Sequence, residues 1–191
     1  LSKSASGNLT FDNSNFNIVP YLNAAWKIDS RNTLSASYTR RLGRPSVTYL
    51  NPYIFEESPY SKMHGNPDLR TVVSDALTLT YRTSGETWDL TARTYGSLCN
   101  NKIEYLSEVY PDGGKVSTYR NAVIHNHIDE MLSFSWSPGE RFSLQTSAML
   151  GYNWFHAPSL EQKNDGIGWS FDLSSNVDFW KGAMGFVAGS I

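Results

Sequence analysis

Two alternating segments separated by a very long polar and aromatic stretch place the strongest constraint on this chain. The first segment runs from Leu34 to Arg41 and the second from Leu77 to Tyr81. In both, apolar and polar residues alternate with a period of two, which is typical of a β-strand with one apolar face. Structureless loops longer than about 15 residues are uncommon in compact soluble domains, so the stretch 42–75 predicts one unusually long loop.

The same alternation recurs along the rest of the chain and predicts an all-β fold. Its clearest run begins at Phe142, with Leu144 and Ala148 on one side and polar residues on the other. Further alternating runs lie at 16–28, 88–110, 116–136 and 169–179. Short polar turns lie at 29–32, 83–86, 137–140 and 180–182, a Pro-Asp-Gly-Gly hairpin turn lies at 111–114, and we expect a longer polar loop at 157–166.

These runs predict an antiparallel up-and-down meander of about eight strands, folded as a single unit over 1–191. The strand 88–110 is interrupted by the polar residues Asn100, Asn101 and Lys102. Pro20 lacks an N–H for a strand ladder, so we expect it at an edge, a bulge or a strand end. The polar segment 1–15 is predicted to be a loop or a frayed strand.

The long loop carries several motifs at fixed spacing. They are Tyr38-x-Arg40, Arg44-Pro45-Ser46, Leu50-Asn51-Pro52-Tyr53 and Gly65-Asn66-Pro67-x-Leu69. In this order they resemble the loop signature of TonB-dependent receptor barrels, of the outer-membrane β-barrel type found in Bacteroidota. The family pattern usually continues with Pro-Glu after the Leu-basic pair, whereas Arg70 is followed here by Thr71-Val72. Outside this loop the chain matches the family only in its strand pattern.

The resemblance implies a barrel of about 22 strands, of which this chain is a C-terminal fragment amounting to roughly a third. It also implies three partners: an N-terminal plug domain, TonB and a small imported nutrient whose identity the sequence leaves open. The start at Leu1 without a Met and the end at Ile191 inside an alternating pattern agree with a fragment. Two alternatives stay open: a complete small eight-stranded outer-membrane barrel, and a soluble β-sandwich or lipocalin-like binding module.

Connection lengths and aromatic positions favour the membrane interpretation. Membrane barrels have short turns at one end, long loops at the other, and aromatic girdles at the interfaces. The aromatic residues beside the short turns are Trp26, Tyr81, Trp88, Trp136, Phe142, Phe179 and Trp180. We predict that they form an interfacial belt in the lipid bilayer of the bacterial outer membrane. An isolated open sheet would expose its edges and its apolar face, so we expect such a fragment to self-associate.

Composition and the absence of certain motifs exclude several other classes of protein. The net charge of −2 and the pI of about 6.1 give no basic footprint, so we expect no nucleic-acid partner. One cysteine, Cys99, excludes an internal disulfide. No apolar run reaches about 18 residues, so we predict no transmembrane helix. The chain has no Gly-rich phosphate loop, nucleophile elbow or zinc helix motif, so we predict neither an enzyme nor a cofactor.

Candidate binding residues lie in and beside the long loop. The candidates for contact with a ligand or with the plug domain are Arg40, Arg44, Tyr49, Tyr53 and Arg70. For the arginines we favour hydrogen bonding that holds the loop inward, and the loop aromatics could equally pack on one another. His125 and His127 share one strand face, a spacing that suits a metal, but we assign them no metal because no cysteine or carboxylate at ligand spacing completes the set on that strand face.

Overall fold

The structure is a computed structural model that describes the backbone of residues 2–6, 9–13, 17–180 and 183–190, with the side chains of 17–178. Its first strands are β1 (Ser2–Ser6), β2 (Leu9–Asn13), β3 (Tyr21–Lys27), β4 (Asn32–Gly43), β5 (Phe55–Ser58), β6 (Ser61–Met63) and β7 (Val72–Ser84). The later strands are β8 (Trp88–Cys99), β9 (Lys102–Val109), β10 (Lys115–Gly139), β11 (Phe142–Ala157), β12 (Gln162–Trp180) and β13 (Ala183–Ser190). Helix α1 (Val47–Leu50) and a 3₁₀ turn (Pro158–Leu160) are short, and no helix in the described ranges is long and apolar enough to cross a membrane.

The main sheet is an antiparallel meander, as the sequence predicts. Its path runs β3, β4, β7, β8, β10, β11, β12, β13, so each strand pairs with the next along this path. Over the described ranges β3 and β13 occupy the two ends of that order, and the sheet is open. Strands β1 and β2 pair with each other, where the sequence predicted a loop or a frayed strand.

Strands β8, β9 and β10 form one long hairpin. β8 pairs with β10 from Trp88 to Ser97, and β9 continues the ladder on the same strand from Lys102 to Val109. The break lies at Asn100 and Asn101, within the predicted interruption, whereas Lys102 already belongs to β9. In the turn at 111–114, Gly113 has φ 82°, the left-handed conformation that glycine adopts without steric cost.

Three predicted boundaries were wrong. The long loop predicted over 42–75 is shorter, because β4 extends to Gly43 and β7 begins at Val72. In the run at 16–28, Phe16 lies outside the described residues and the strand begins at Tyr21. Pro20 lies just before this edge strand, and its carbonyl accepts from the Arg40 N–H at 3.1 Å. The predicted loop at 157–166 is a tight turn, because β12 already begins at Gln162. Polar side chains support this extension: Asp165 contacts Lys163 Nζ at 2.8 Å and His156 Nε2 at 3.0 Å. These charged residues therefore extend the strands instead of ending them.

The two faces of the sheet differ sharply in polarity. One row of paired residues on the first face is Trp26, Leu34, Tyr81, Ala92, Leu132, Ala148 and Phe171. The adjacent row on the opposite face is Lys27, Thr33, Arg82, Thr91, Ser133, Ser147 and Asp172. We call these faces the apolar face and the polar wall.

The apolar face is exposed rather than packed in a core. Trp26 is 63% exposed and Leu150 is 57% exposed on this face. Within the described side chains, the buried apolar residues are Leu69, Cys99, Val123 and Ala157. All four lie at the end of the sheet that carries the long loop. The fold therefore lacks the two-layer core of a soluble sandwich in its described part.

The strands are staggered along the sheet. Trp26 and Phe171 lie in the same row of paired residues. Trp26 is one residue from the end of β3, whereas Phe171 lies well inside β12, which continues to Trp180. Strand ends therefore shift progressively from β3 to β12. Such a shift is the register stagger that accompanies tilted strands in a barrel.

Candidate functional site: the outer loop and the polar wall

The segment 44–71, here called the outer loop, folds onto the outer half of the β9–β10 hairpin. Its strand β6 pairs in parallel with β10, with Ser61 opposite Lys115 and Met63 opposite Ser117. At its two ends Lys115 N–H donates to Tyr60 O at 2.7 Å and His64 N–H donates to Ser117 O at 3.1 Å. The backbone of the loop is thus hydrogen-bonded to the hairpin, and the loop is ordered rather than free.

Two asparagines replace missing strand partners where the outer loop rejoins β7. Asn121 Oδ1 accepts from Arg70 N–H at 2.8 Å, and its Nδ2 donates to Arg70 O at 3.0 Å and to Asn101 O at 2.8 Å. Asn101 donates to Thr71 O at 2.8 Å and accepts from Val73 N–H at 3.1 Å. Side-chain amides carry both a donor and an acceptor, so they satisfy backbone groups as a strand would. The side-chain hydrogen bonds of Asn101 therefore explain why the strand is interrupted there.

Gly65 allows the loop to cross itself. Its N–H donates to Asn51 O at 2.8 Å, and the next N–H, of Asn66, donates to Tyr49 O at 2.6 Å. A Cβ at position 65 would lie 2.5 Å from Asn51 O and 2.6 Å from Tyr49 O. The Gly65-Asn66 and Asn51-Pro52 motifs therefore belong to one crossing of two loop segments.

A tyrosine cluster joins the outer loop to the hairpin. Tyr49 and Tyr119 stack with ring centroids 4.1 Å apart, and Tyr105 lies 5.2 Å from Tyr119. Burial raises the pKa of Tyr119, and the neighbouring Tyr49 and Tyr105 raise it further. The cluster is half-exposed, so it combines loop packing with an aromatic surface open to solvent.

The structure does not gather the five predicted contact residues into one site. Arg40 forms an ion pair with Asp75, Nε to Oδ1 at 2.7 Å, and Tyr38 Oη donates to the same carboxylate at 2.6 Å. Arg44 is exposed and lines a surface groove of about 600 Å³ with Arg40. Tyr53 is 71% exposed, while the backbone of Arg70 is held by Asn121.

The polar wall lines a shallow cavity. A volume of about 640 Å³ lies against this wall at its short-turn half, lined by residues that include Asp89, Ser135, Gln145 and Asp172. Its position indicates that the sheet curves toward the polar wall. Water can hydrate these carboxylates there, so burial does not penalise them.

His125, His127 and Asp129 follow each other on the polar wall. The imidazole rings lie 5.6 Å apart, and His127 Nε2 is 3.9 Å from Asp129 Oδ2. Sequence reasoning overlooked Asp129, although its i+2 spacing from His127 places both on one strand face. In the described part of the chain, no group of three or more His, Cys, Asp or Glu could hold a metal ion.

The predicted belt residues lie at the short-turn ends of their strands. Trp88 pairs with Trp136, and Trp136 contacts Phe142 edge to face at 5.5 Å. Trp26 is exposed near the end of β3, and Tyr81 Oη donates to Asn32 Oδ1 at 2.6 Å. The side chains of Phe179 and Trp180 lie outside the described residues.

Comparison with known proteins gives a family and a fold. The family model described as outer membrane protein beta-barrel family matches residues 2–190. The siderophore receptor PirA from Pseudomonas aeruginosa has 16% identity over 86% of this chain and 37% of its own, with a TM-score of 0.51. The copper transporter OprC has 15% identity over 90% of this chain and 30% of its own, with a TM-score of 0.52. No curated protein matches the sequence significantly.

These matches agree with the architecture. The chain spans between 30% and 37% of the length of those two structures, and at such identities the likeness concerns the fold alone. An exposed apolar face, a curved polar wall and short turns opposite a long loop are the features of a membrane barrel wall. Since the family model covers residues 2–190, the chain belongs to the outer membrane protein β-barrel family and is a barrel part located in the outer membrane.

Proposed function

We propose that this chain is part of the barrel of a TonB-dependent outer-membrane receptor that imports a scarce nutrient. The observation that carries the proposal is the outer loop, which is folded onto the β9–β10 hairpin and held by backbone and amide hydrogen bonds. Loops on a rigid scaffold commonly carry binding function. The structural neighbours named as a siderophore receptor and a copper transporter support transport rather than catalysis.

The proposed ligand surface lies on the loop side of the sheet. Tyr53 and Arg44 are exposed there, and Tyr49 of the tyrosine cluster is partly exposed. Arg40 contributes less to this surface because Asp75 already neutralises it. Arg70 contributes through its side chain while Asn121 holds its backbone. In the complete receptor, a plug domain would lie against the polar wall. The Bacteroidota type stays a prediction.

An uptake experiment tests this function. Cells that carry the complete protein are supplied with ferric siderophores, copper, cobalamin or glycans, with and without a protonophore that removes the energy of the inner membrane. We expect one class to be imported only by energised cells that express the protein. Import that continues without energy would contradict the TonB-dependent part of the proposal.

Variants of exposed residues localise the ligand surface. Tyr53→Ala and Arg44→Ala should each reduce ligand affinity, because neither side chain supports the fold. Arg31→Ala, an exposed arginine in a short turn at the opposite end of the sheet, is the matched control and should bind as the wild type does. Equal binding by all three variants would remove the outer loop from the ligand site.

A second proposal concerns the membrane interface. The exposed Trp26, Trp88 and Trp136, together with Tyr81 and Phe142, form the aromatic belt at the periplasmic boundary. Their positions at the short-turn ends of staggered strands support it, since Trp26 and Tyr81 share one row of the sheet and Trp88 pairs with Trp136 in another.

A further inference from the structure

Three arginines converge at the outer end of β4. Consecutive residues of a strand face opposite sides, so Arg40 lies on the apolar face and Arg41 on the polar wall. The strand ends just beyond them, before Arg44. All three nevertheless line the same surface groove of about 600 Å³, together with Val19 and Leu42. We call this feature the arginine groove.

The arginine groove has a surplus of positive charge. Arg40 contacts the carboxylate of Asp75 twice, from Nε to Oδ1 at 2.7 Å and from Nη2 to Oδ2 at 2.9 Å. Arg41 and Arg44 are exposed, and neither forms an ion pair with any residue whose side chain the structure describes. One carboxylate therefore offsets only one of the three guanidinium charges.

Several other cations in the long-loop half of the protein are already neutralised. Each of them contacts a carboxylate of its own at 2.7–3.0 Å, and they are Lys62, Lys102, Arg120 and Lys163. Their charges are matched locally, so they attract a further anion only weakly. Arg41 and Arg44 differ from them because their charge is not matched by a described neighbour.

The contact with Asp75 positions Arg40 without using all of its donors. A guanidinium group has five N–H donors in a planar fork, and Asp75 accepts from two of them. Tyr38 Oη donates to Asp75 Oδ1 at 2.6 Å and so helps to hold the carboxylate in place. Arg40 is therefore a fixed donor whose three other N–H groups can serve a second acceptor.

The edge of β4 contributes a backbone donor and an apolar wall. β3 pairs with β4 as far as Thr39, and the Arg40 N–H then donates to Pro20 O at 3.1 Å. Alternate residues of a strand direct their N–H groups to the same edge, so the N–H of Leu42 points to this edge as well. Val19 is 52% exposed in the groove. Apolar walls beside a surplus of one charge strengthen the attraction for an opposite charge.

We propose that the arginine groove is a binding site for a phosphate group, with Arg41 and Arg44 as the principal cations and Arg40 as the fixed donor. Guanidinium groups bind phosphate through paired, charge-assisted hydrogen bonds. The groove is much larger than one phosphate ion, so it accommodates a phosphate that belongs to a larger molecule. That molecule is either a soluble ligand or a lipid whose headgroup lies at the outer boundary of the membrane.

Calorimetric titration of the complete protein in an uncharged detergent with inorganic phosphate tests the site. At low ionic strength we expect one site of roughly millimolar affinity, weakened about tenfold by Arg41→Gln or by Arg44→Gln and abolished in the double variant. Both side chains are exposed, so these substitutions should leave the fold intact. Arg31→Gln changes an exposed arginine in a short turn at the opposite end of the sheet and should bind as the wild type does.

Native mass spectrometry of the same variants distinguishes the two sources of phosphate. The protein is released from detergent that contains phosphatidylglycerol or zwitterionic phosphatidylcholine, and the retained lipids are counted. Selective retention of phosphatidylglycerol that is lost in the double variant assigns the groove to a lipid headgroup. Binding of inorganic phosphate without such retention assigns it to a soluble ligand.

The proposal is overturned if the wild type binds neither inorganic phosphate nor phosphatidylglycerol. It is equally overturned if the Arg41→Gln/Arg44→Gln double variant binds whichever of them the wild type binds with unchanged affinity. Both readouts are independent of nutrient uptake, so failure of the receptor proposal and failure of the phosphate site remain distinguishable.

Discussion

Glu130 is a carboxylate on the apolar face of β10. It lies between Ile128 and Leu132, opposite Leu150 on β11, and accepts a hydrogen bond from Thr94 Oγ1 at 3.0 Å. An acidic side chain on the lipid face of a barrel is destabilising, though less so than a basic one. We expect Glu130→Leu to stabilise the protein in lipid vesicles by about 1–2 kcal/mol, which would appear as a higher unfolding midpoint.

The control for this substitution is Glu108→Leu. Glu108 lies on the outer half of the hairpin, where it pairs with Arg120 Nη2 at 2.7 Å and both side chains are half-exposed. An exposed ion pair contributes little, so this variant should leave the midpoint in vesicles nearly unchanged. A lower midpoint for Glu130→Leu would contradict lipid contact and would indicate that another protein group contacts Glu130.

Asp29 organises the first short turn and gives it a pH dependence. Its Oδ1 accepts from Arg31 N–H at 2.7 Å and from Asn32 N–H at 2.8 Å. The Arg31 backbone hydrogen bond, followed by the Asn32 side chain, lowers the pKa of Asp29 below its ordinary value of 3.8. Its stabilising contribution is therefore present above that value and is lost as the pH falls through the lowered pKa.

Asp29→Ala should lower the unfolding midpoint at pH 7 and have a smaller effect at pH 2. The measurement is the difference in midpoint between wild type and variant at each pH. Asp112→Ala provides the comparison, since Asp112 Oδ1 accepts one backbone hydrogen bond, from Gly114 N–H at 2.9 Å. This role would be contradicted if the difference in unfolding midpoint between the wild type and Asp29→Ala became larger as the pH falls.

At the level of elements, alternation predicted which strands exist better than where they end. The meander, the long hairpin and its interruption follow from residues of period two and from turn residues such as Gly113. The start of β12 did not follow from these patterns, because Lys163 and Asp165 resemble loop residues in the sequence. The structure shows that they pair with each other along β12 and that Asp165 contacts His156 across the hairpin. The outer loop contains α1, β5 and β6. Their positions depend on contacts with β10, a strand that lies far away in the sequence.

The crossing at Gly65 gives an element-level prediction. Gly65→Ala would place a methyl group against the carbonyl oxygens of Asn51 and Tyr49, so the outer loop would lose its crossing and move off the hairpin. We expect protease cleavage within 44–71 to become faster while the barrel strands stay resistant. Gly139→Ala is the control, because a Cβ there meets no atom within 4 Å. Equal cleavage rates for Gly65→Ala and the wild type would show that the loop tolerates the clash.

At the scale of the whole molecule, the arrangement of faces determines the solvent that the protein requires. Its apolar face is exposed along β3, β7 and β10–β12, and the buried apolar side chains among the described residues lie at the long-loop end. Water would leave that face unfavourably hydrated. A bilayer covers it, and the polar wall turns to the aqueous interior of the barrel. We expect β-rich circular dichroism to depend on detergent or lipid, whereas a monodisperse β-rich monomer in plain buffer would contradict this arrangement.

Tryptophan depth tests the same arrangement in the bilayer. Trp136 lies near the end of β10, and Leu132 faces the same side four residues further into the strand, about 13 Å along it. In proteins with one tryptophan, Trp26 and Trp136 should be quenched most by lipids brominated near the glycerol ester. A tryptophan introduced by Leu132→Trp should instead be quenched most by lipids brominated deep in the acyl chain. Indole rings prefer the headgroup region, so this difference in depth is expected only if the short-turn aromatics lie at the membrane interface. Quenching of all three by aqueous iodide, without a response to brominated lipid, would place the apolar face away from the membrane.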